Sequence, residues 1–79
     1  ELPHDVDASL FERLRATRLD IARAKGVPAY VICHDRTLIQ MAVCRPTSME
    51  ALAEIYGMGP ARIESYGESF LDALNAHAP

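Results

Sequence analysis

Cys33 and His34 are sequence neighbours, and a thiolate beside an imidazole is the pairing in this chain nearest to nucleophilic chemistry. Adjacent side chains usually point apart, and nothing in the sequence orients these two, so an inert thiol and a surface imidazole are expected. Zinc held by Cys33, His34, Cys44 and a further histidine would require four convergent ligands, and the spacing matches no metal motif. No glycine-rich loop carries a phosphate-binding lysine, and no serine is flanked by glycines. The chain is therefore expected to have no catalytic residue, no metal and no cofactor.

Ile55-Tyr56-Gly57-Met58-Gly59-Pro60 carries more information. Glycines leading into a helix N-terminus expose backbone amides that can bind a phosphate without a side-chain charge, as helix-hairpin-helix modules do on DNA. A tight corner between two helices is the plainer account of the same residues. Gly57 and Gly59 are thus candidate phosphate contacts, and Arg62 in the following first turn would add a mobile charge. Tyr30 is the second candidate, because a ring in a proline-held connector can stay exposed as a platform on which a base stacks, worth about 1–3 kcal/mol. The competing reading is a partly buried ring with a wet hydroxyl. The cations Arg13, Arg23, Lys25, Arg36, Arg45 and Arg62 are dispersed among Glu12, Asp20, Asp35, Glu50 and Glu54, and most read as solvated surface, but Lys25 and Arg36 flank the Tyr30 connector in sequence.

Eight Lys and Arg against eleven Asp and Glu leave a net charge of -3, which argues against binding polyanions over the whole surface. Any nucleic-acid contact must be local and weak. With 79 residues, 49% of them hydrophobic, the chain supports one domain with a single core and little room for a catalytic cavity. Two cysteines do not make a disulfide scaffold, and buried free thiols are expected. No apolar run approaches the roughly 18 residues of a membrane span, and the segment from Glu1 lacks the order of a signal peptide, so a cytoplasmic location is expected.

Five short helices must position these residues. Leu10, Phe11, Leu14, Ile21 and Ala22 form the stripe of a helix over about 8–25, with Asp7 as its cap and Gly26 and Pro28 as its stop. Arg18 falls within the stripe and must lay its stem on the core while carrying its guanidinium to an edge or an acidic partner. Val27 to Ile32 reads as an extended connector, having no second β-like run to pair with. Asp35 is expected to cap a helix over about 36–45 with Leu38, Ile39, Ala42 and Val43 inward. Thr47 and Glu50 have capping-box spacing for a third helix, with Leu52, Ala53 and Ile55 facing its core. The two glycines of the turn are expected at positive φ. Pro60 opens a fourth helix broken by Gly67, and Phe70, Leu71 and Leu74 mark a fifth, reaching about His77. The expected architecture is all-α, a compact orthogonal bundle of about five short helices spanning about 8–77 of a single domain.

In order and spacing, several groups resemble the HRDC domain, the helicase-and-ribonuclease-D C-terminal module. They are Leu10-Phe11, Leu14-Arg15, Arg18, Ile21-Ala22, Val27 to Ile32, Asp35 with Thr37-Leu38, Met41-Ala42, Pro46, Leu52, Ile55, Gly57-Met58-Gly59, Tyr66-Gly67 and Phe70-Leu71. The resemblance covers about Leu10 to Leu74. It implies an auxiliary domain, monomeric in isolation, of a bacterial RecQ-type DNA helicase that acts in the cytoplasm near the nucleoid in repair and recombination. Such a domain touches single-stranded or branched DNA and tunes substrate choice, while ATP hydrolysis belongs to the rest of the enzyme. Tyr30 fills the slot of an exposed tyrosine that contributes to DNA binding in bacterial relatives. Positions around the glycine turn that are often basic in DNA-binding relatives are here Ala61, Ser65 and Glu68. The acidic balance opens a second reading, a protein-interaction or regulatory module that docks on a basic surface such as another domain of its own helicase. A third is the RNA-binding module of ribonuclease D.

Overall fold

Asp7 starts the first helix by accepting a hydrogen bond at Oδ1 from the Leu10 amide, 3.1 Å away, which satisfies one donor of the open first turn. α1 runs Ala8–Lys25 and ends at Gly26, whose φ of 69° lets its N–H reach the carbonyls of Ala22 and Arg23. In the computed structural model, which describes residues 6–76, four helices follow: α2 (Ala29–Ile32), α3 (Asp35–Cys44), α4 (Met49–Ala53) and α5 (Pro60–Ala76). No strand occurs among the described residues. The all-α expectation holds, and α1 packs on α2, α3 and α5 while α5 also covers α4.

The core is built from the stripes of the long helices. Leu10, Phe11, Leu14 and Ala22 of α1 meet Leu38, Met41 and Ala42 of α3, Phe70, Ala73 and Leu74 of α5, Ile32 of α2, Leu52 of α4, and Ile55 and Met58 from the turn between α4 and α5. Ile21 is only half-buried, and Arg18 takes its place deep in the stripe. The Arg18 stem lies on the core as expected, with Nη1 donating to the Cys33 carbonyl at 3.0 Å and Nη2 on the Asp35 carboxylate at 2.8 Å.

Several local expectations are corrected. The stretch over Ala29–Ile32 is one helical turn rather than an extended connector. Pro28 presets the entry, the Val31 N–H donates to the Pro28 carbonyl at 3.1 Å, and Ile32 is fully buried, so the apolar run closes into a turn. Asp35 is the first residue of α3 and not its cap. His34 occupies the cap position without a side-chain bond, and the Asp35 carboxylate serves Arg18 instead. The inward face of α3 is Thr37, Leu38, Met41 and Ala42, with Ile39 half-buried and Val43 exposed. Ser48, not Thr47, caps α4, its hydroxyl accepting from the Ala51 amide at 3.1 Å. Ala53 faces solvent, while Leu52 and Ile55 are buried as expected.

The glycines differ from expectation in a way that matters for the site. Gly57 has φ 87°, whereas Gly59 does not adopt a positive φ. A Cβ on Gly57 would lie 2.5 Å from Oγ1 of the buried Thr37, so α3 approaches the turn too closely for any side chain there. Gly67 does not break the chain into two helices. It is buried inside α5, where a Cβ would come within 2.9 Å of the Met49 methyl, and its smallness lets α4 lie close to α5. The expected end of the last helix near His77 lies outside the described residues. Cys33 is buried and Cys44 exposed, both as free thiols, so only one of the two matches the expected burial.

Candidate nucleic-acid interface

Because Ile32 anchors α2 inward, the other side of that single turn presents Tyr30 to solvent, with 64% of the residue exposed. Tyr30 borders an open groove of about 500 Å³ that is also lined by Arg18, Ala29, His34, Asp35 and Arg36. Asp35 is the carboxylate of this lining, and Arg18 holds it. Structure therefore brings Tyr30 and Arg36 to one groove.

Arg36 lies with its guanidinium carbon 4.9 Å from the ring centroid of Tyr56, a cation–π stack between α3 and the corner that joins α4 to α5. Tyr56 is itself 62% exposed, and sequence reasoning passed over it as part of a turn. The signal available was an aromatic between the buried Ile55 and a positive-φ glycine. Its value depends on Arg36, twenty positions away, which only the packing of α3 brings near.

The remaining candidates lie elsewhere or are engaged. Lys25, in the last turn of α1, sits 5.4 Å above the ring of the half-buried Tyr66 on α5. Arg62 is held rather than mobile. Its Nε donates to the Ile32 carbonyl at 2.8 Å and its Nη1 to the Gly57 carbonyl at 3.3 Å, clamping the end of α2 to the glycine turn. Within that turn the Met58 N–H donates to the Ile55 carbonyl, and the Gly59 carbonyl accepts from Ile63.

Among the described residues three of the eight cations are ion-paired, and Arg13 and Arg23 of α1 lack a carboxylate partner just as the site's cations do. Arg15 pairs with Glu12, Arg18 with Asp35 and Arg45 with Asp7. Among the described residues no carboxylate lies within ion-pairing distance of Lys25, Arg36 or Arg62.

The thiol and imidazole at 33 and 34 do not cooperate: Cys33 is buried and His34 is exposed. Burial pushes the Cys33 thiol above its ordinary value, against the opposing pull of the Arg18 and Arg62 guanidiniums, which is the reverse of nucleophile activation. Among the described residues no group of three or more His, Cys, Asp or Glu is placed to hold a metal, and no helix is long and apolar enough to cross a membrane.

A model of the HRDC domain family matches residues 7–74. The chain is 41% identical over 69 residues to the ATP-dependent DNA helicase RecQ of Bacillus subtilis, which covers 87% of the chain and 12% of that helicase. It is 43% identical over 70 residues to the ATP-dependent DNA helicase UvrD2 of Mycobacterium tuberculosis, covering 89% of the chain and 10% of that protein. The chain thus spans about a tenth of the length of these relatives. Among solved structures, HRDC domain 3 of the RecQ protein of D. radiodurans superposes with a TM-score of 0.85 at 39% identity, over 94% of this chain and 95% of that one.

Proposed function

Because the chain belongs to the HRDC domain family, we propose that it is the accessory domain of an ATP-dependent DNA helicase and makes weak, structure-dependent contact with single-stranded or branched DNA. The observation that carries this reading is the pairing of an exposed ring with an unneutralised cation. Tyr30 and Arg36 line one groove, and the acid between them, Asp35, is taken up by Arg18. A base stacks on Tyr30 while Arg36 meets a phosphate. Lys25 offers a further phosphate contact. The first-turn amides of α5, behind Gly57 and Gly59 with Arg62 beside them, offer another.

The helicase relatives favour a helicase parent over ribonuclease D. Catalysis of unwinding would reside in the remainder of that parent, and this chain would tune which DNA structures are engaged.

Titration of the chain with a labelled single strand at low and moderate salt tests the proposal. Affinity is expected to fall as salt rises, and Tyr30→Ala is expected to weaken binding by about fivefold or more. Binding that ignores both changes overturns it. The net charge of -3 supports the competing role as a protein-docking module. That role gains if the chain binds the remainder of the helicase and not the oligonucleotide.

A further inference from the structure

Tyr56 stands on a braced corner. Ile55 and Met58 are buried on either side of it, Gly57 turns the chain at positive φ, and the Tyr56 N–H donates to Gln40 Oε1 at 2.9 Å. The side chain nevertheless remains in water, so its large apolar ring contributes little to the core while the backbone beneath it is rigid. Arg36 covers part of the ring, and the residue is still 62% exposed.

A second open groove, of about 510 Å³, runs past this ring and is lined by Arg36, Ile39, Gln40, Val43, Cys44 and Tyr56. Among the described residues its lining contains one cation and no carboxylate. Arg36 also lines the groove of Tyr30, so it lies between two exposed rings. Among the described residues that line the two grooves, the carboxylate is Asp35, which Arg18 holds at 2.8 Å. In a chain with an excess of acids, this strip is cationic and aromatic, the combination that single-stranded nucleic acids require.

We propose that Tyr56 and Arg36 form a second stacking platform, so that one unpaired base lies on Tyr30, another on Tyr56, and phosphate between them meets Arg36. This inference extends the DNA-contact reading and rests on it. The ligand is a single strand and not a duplex, because paired bases keep their faces stacked on one another. Base identity matters little, since every base has a face to stack.

The test uses the chain and its Y30A, Y56A and Y56W variants with a labelled oligothymidylate, read by anisotropy at low salt and by thermal melting. Y56A is expected to melt like the parent chain and to bind about fivefold or more weakly. Y56W is expected to retain affinity, and because the chain contains no other tryptophan, its emission should be quenched by the oligonucleotide. If Y30A weakens binding while Y56A stays within about twofold of the parent and Y56W emission does not change, the second platform is overturned and the Tyr30 reading stands. The reverse pattern removes Tyr30 and with it the two-ring path. No oligonucleotide binding by the parent chain overturns both.

Discussion

Nη2 of Arg18 lies 2.8 Å from Oδ1 of Asp35, joining the buried stripe of α1 to the first residue of α3. The two partners are unequal. The Arg18 side chain is 10% exposed and that of Asp35 is 69% exposed, so water screens the pair on one side only. Arg18 also donates to the Cys33 carbonyl and fills core volume with its stem, while its buried Nε finds no acceptor among the described residues. Arg18→Ala should therefore cost about 2–4 kcal/mol, through a cavity and an orphaned carbonyl, and Asp35→Ala only about 0.5–1 kcal/mol. Urea denaturation of both variants and the double variant measures the three values. Equal single losses would mean that the ion pair, and not the stem with its Cys33 bond, dominates.

Gly57 and Gly59 separate in the same kind of measurement. Gly57 combines a φ of 87° with Thr37 Oγ1 only 2.5 Å from where a Cβ would sit, and Thr37 is too buried to move aside. Gly57→Ala should cost about 2 kcal/mol or more. Gly59 has ordinary φ and open space around it, so Gly59→Ala should change stability by less than about 0.5 kcal/mol. Thermal melting of both variants checks the contrast, and a large loss at Gly59 would contradict the turn geometry.

Those two glycines show what the sequence can convey and where it stops. Asp7, the apolar stripe and Gly26 act within one helix, so α1 was legible to its ends. A Gly-x-Gly turn announces that the chain bends, but which glycine takes positive φ depends on α3 pressing Thr37 against one of them. Gly67 looks like a helix breaker until α4 is seen beside it, with Met49 filling the space a side chain would occupy. The four residues of α2 are too few for periodicity to tell a strand from a turn, and burial of Ile32 decides. Tyr30 was legible as a local feature, an aromatic after a proline. The stack of Arg36 on Tyr56 is a contact between distant segments and leaves no trace in spacing.

The two thiols should be distinguishable by reagent. Cys44 is exposed and should react with a thiol label in the folded chain, whereas Cys33 is buried and its ionisation is opposed by desolvation. One thiol per native chain should react quickly and two after denaturation. Because folding raises the Cys33 value, the neutral thiol's contribution to stability is fully present below the unfolded value. It is lost as pH rises above the ordinary thiol value toward the higher folded one. Cys33→Ser should therefore flatten the alkaline arm of the stability profile, and an unchanged slope would place Cys33 in a more solvated setting than the core of this fold.

Arg62 and Arg36 have the same charge but different engagements, and substitution should expose this. Both donors that Arg62 uses go to backbone carbonyls, of Ile32 and Gly57, so its guanidinium fixes α2 against the glycine turn. Arg36 rests on a ring in open water, a contact worth about 0.5–1 kcal/mol at an exposed site. Arg62→Gln should lower stability by about 1–2 kcal/mol by leaving two carbonyls without their donor. Arg36→Gln should leave stability within about 1 kcal/mol and reduce the salt slope of single-strand binding by about 0.7, the value for one phosphate contact on a single strand. Melting curves and salt titrations of the two variants provide the comparison. An unchanged salt slope for Arg36→Gln, with a reduced one for Arg62→Gln, would move the phosphate contact from the aromatic strip to the glycine turn.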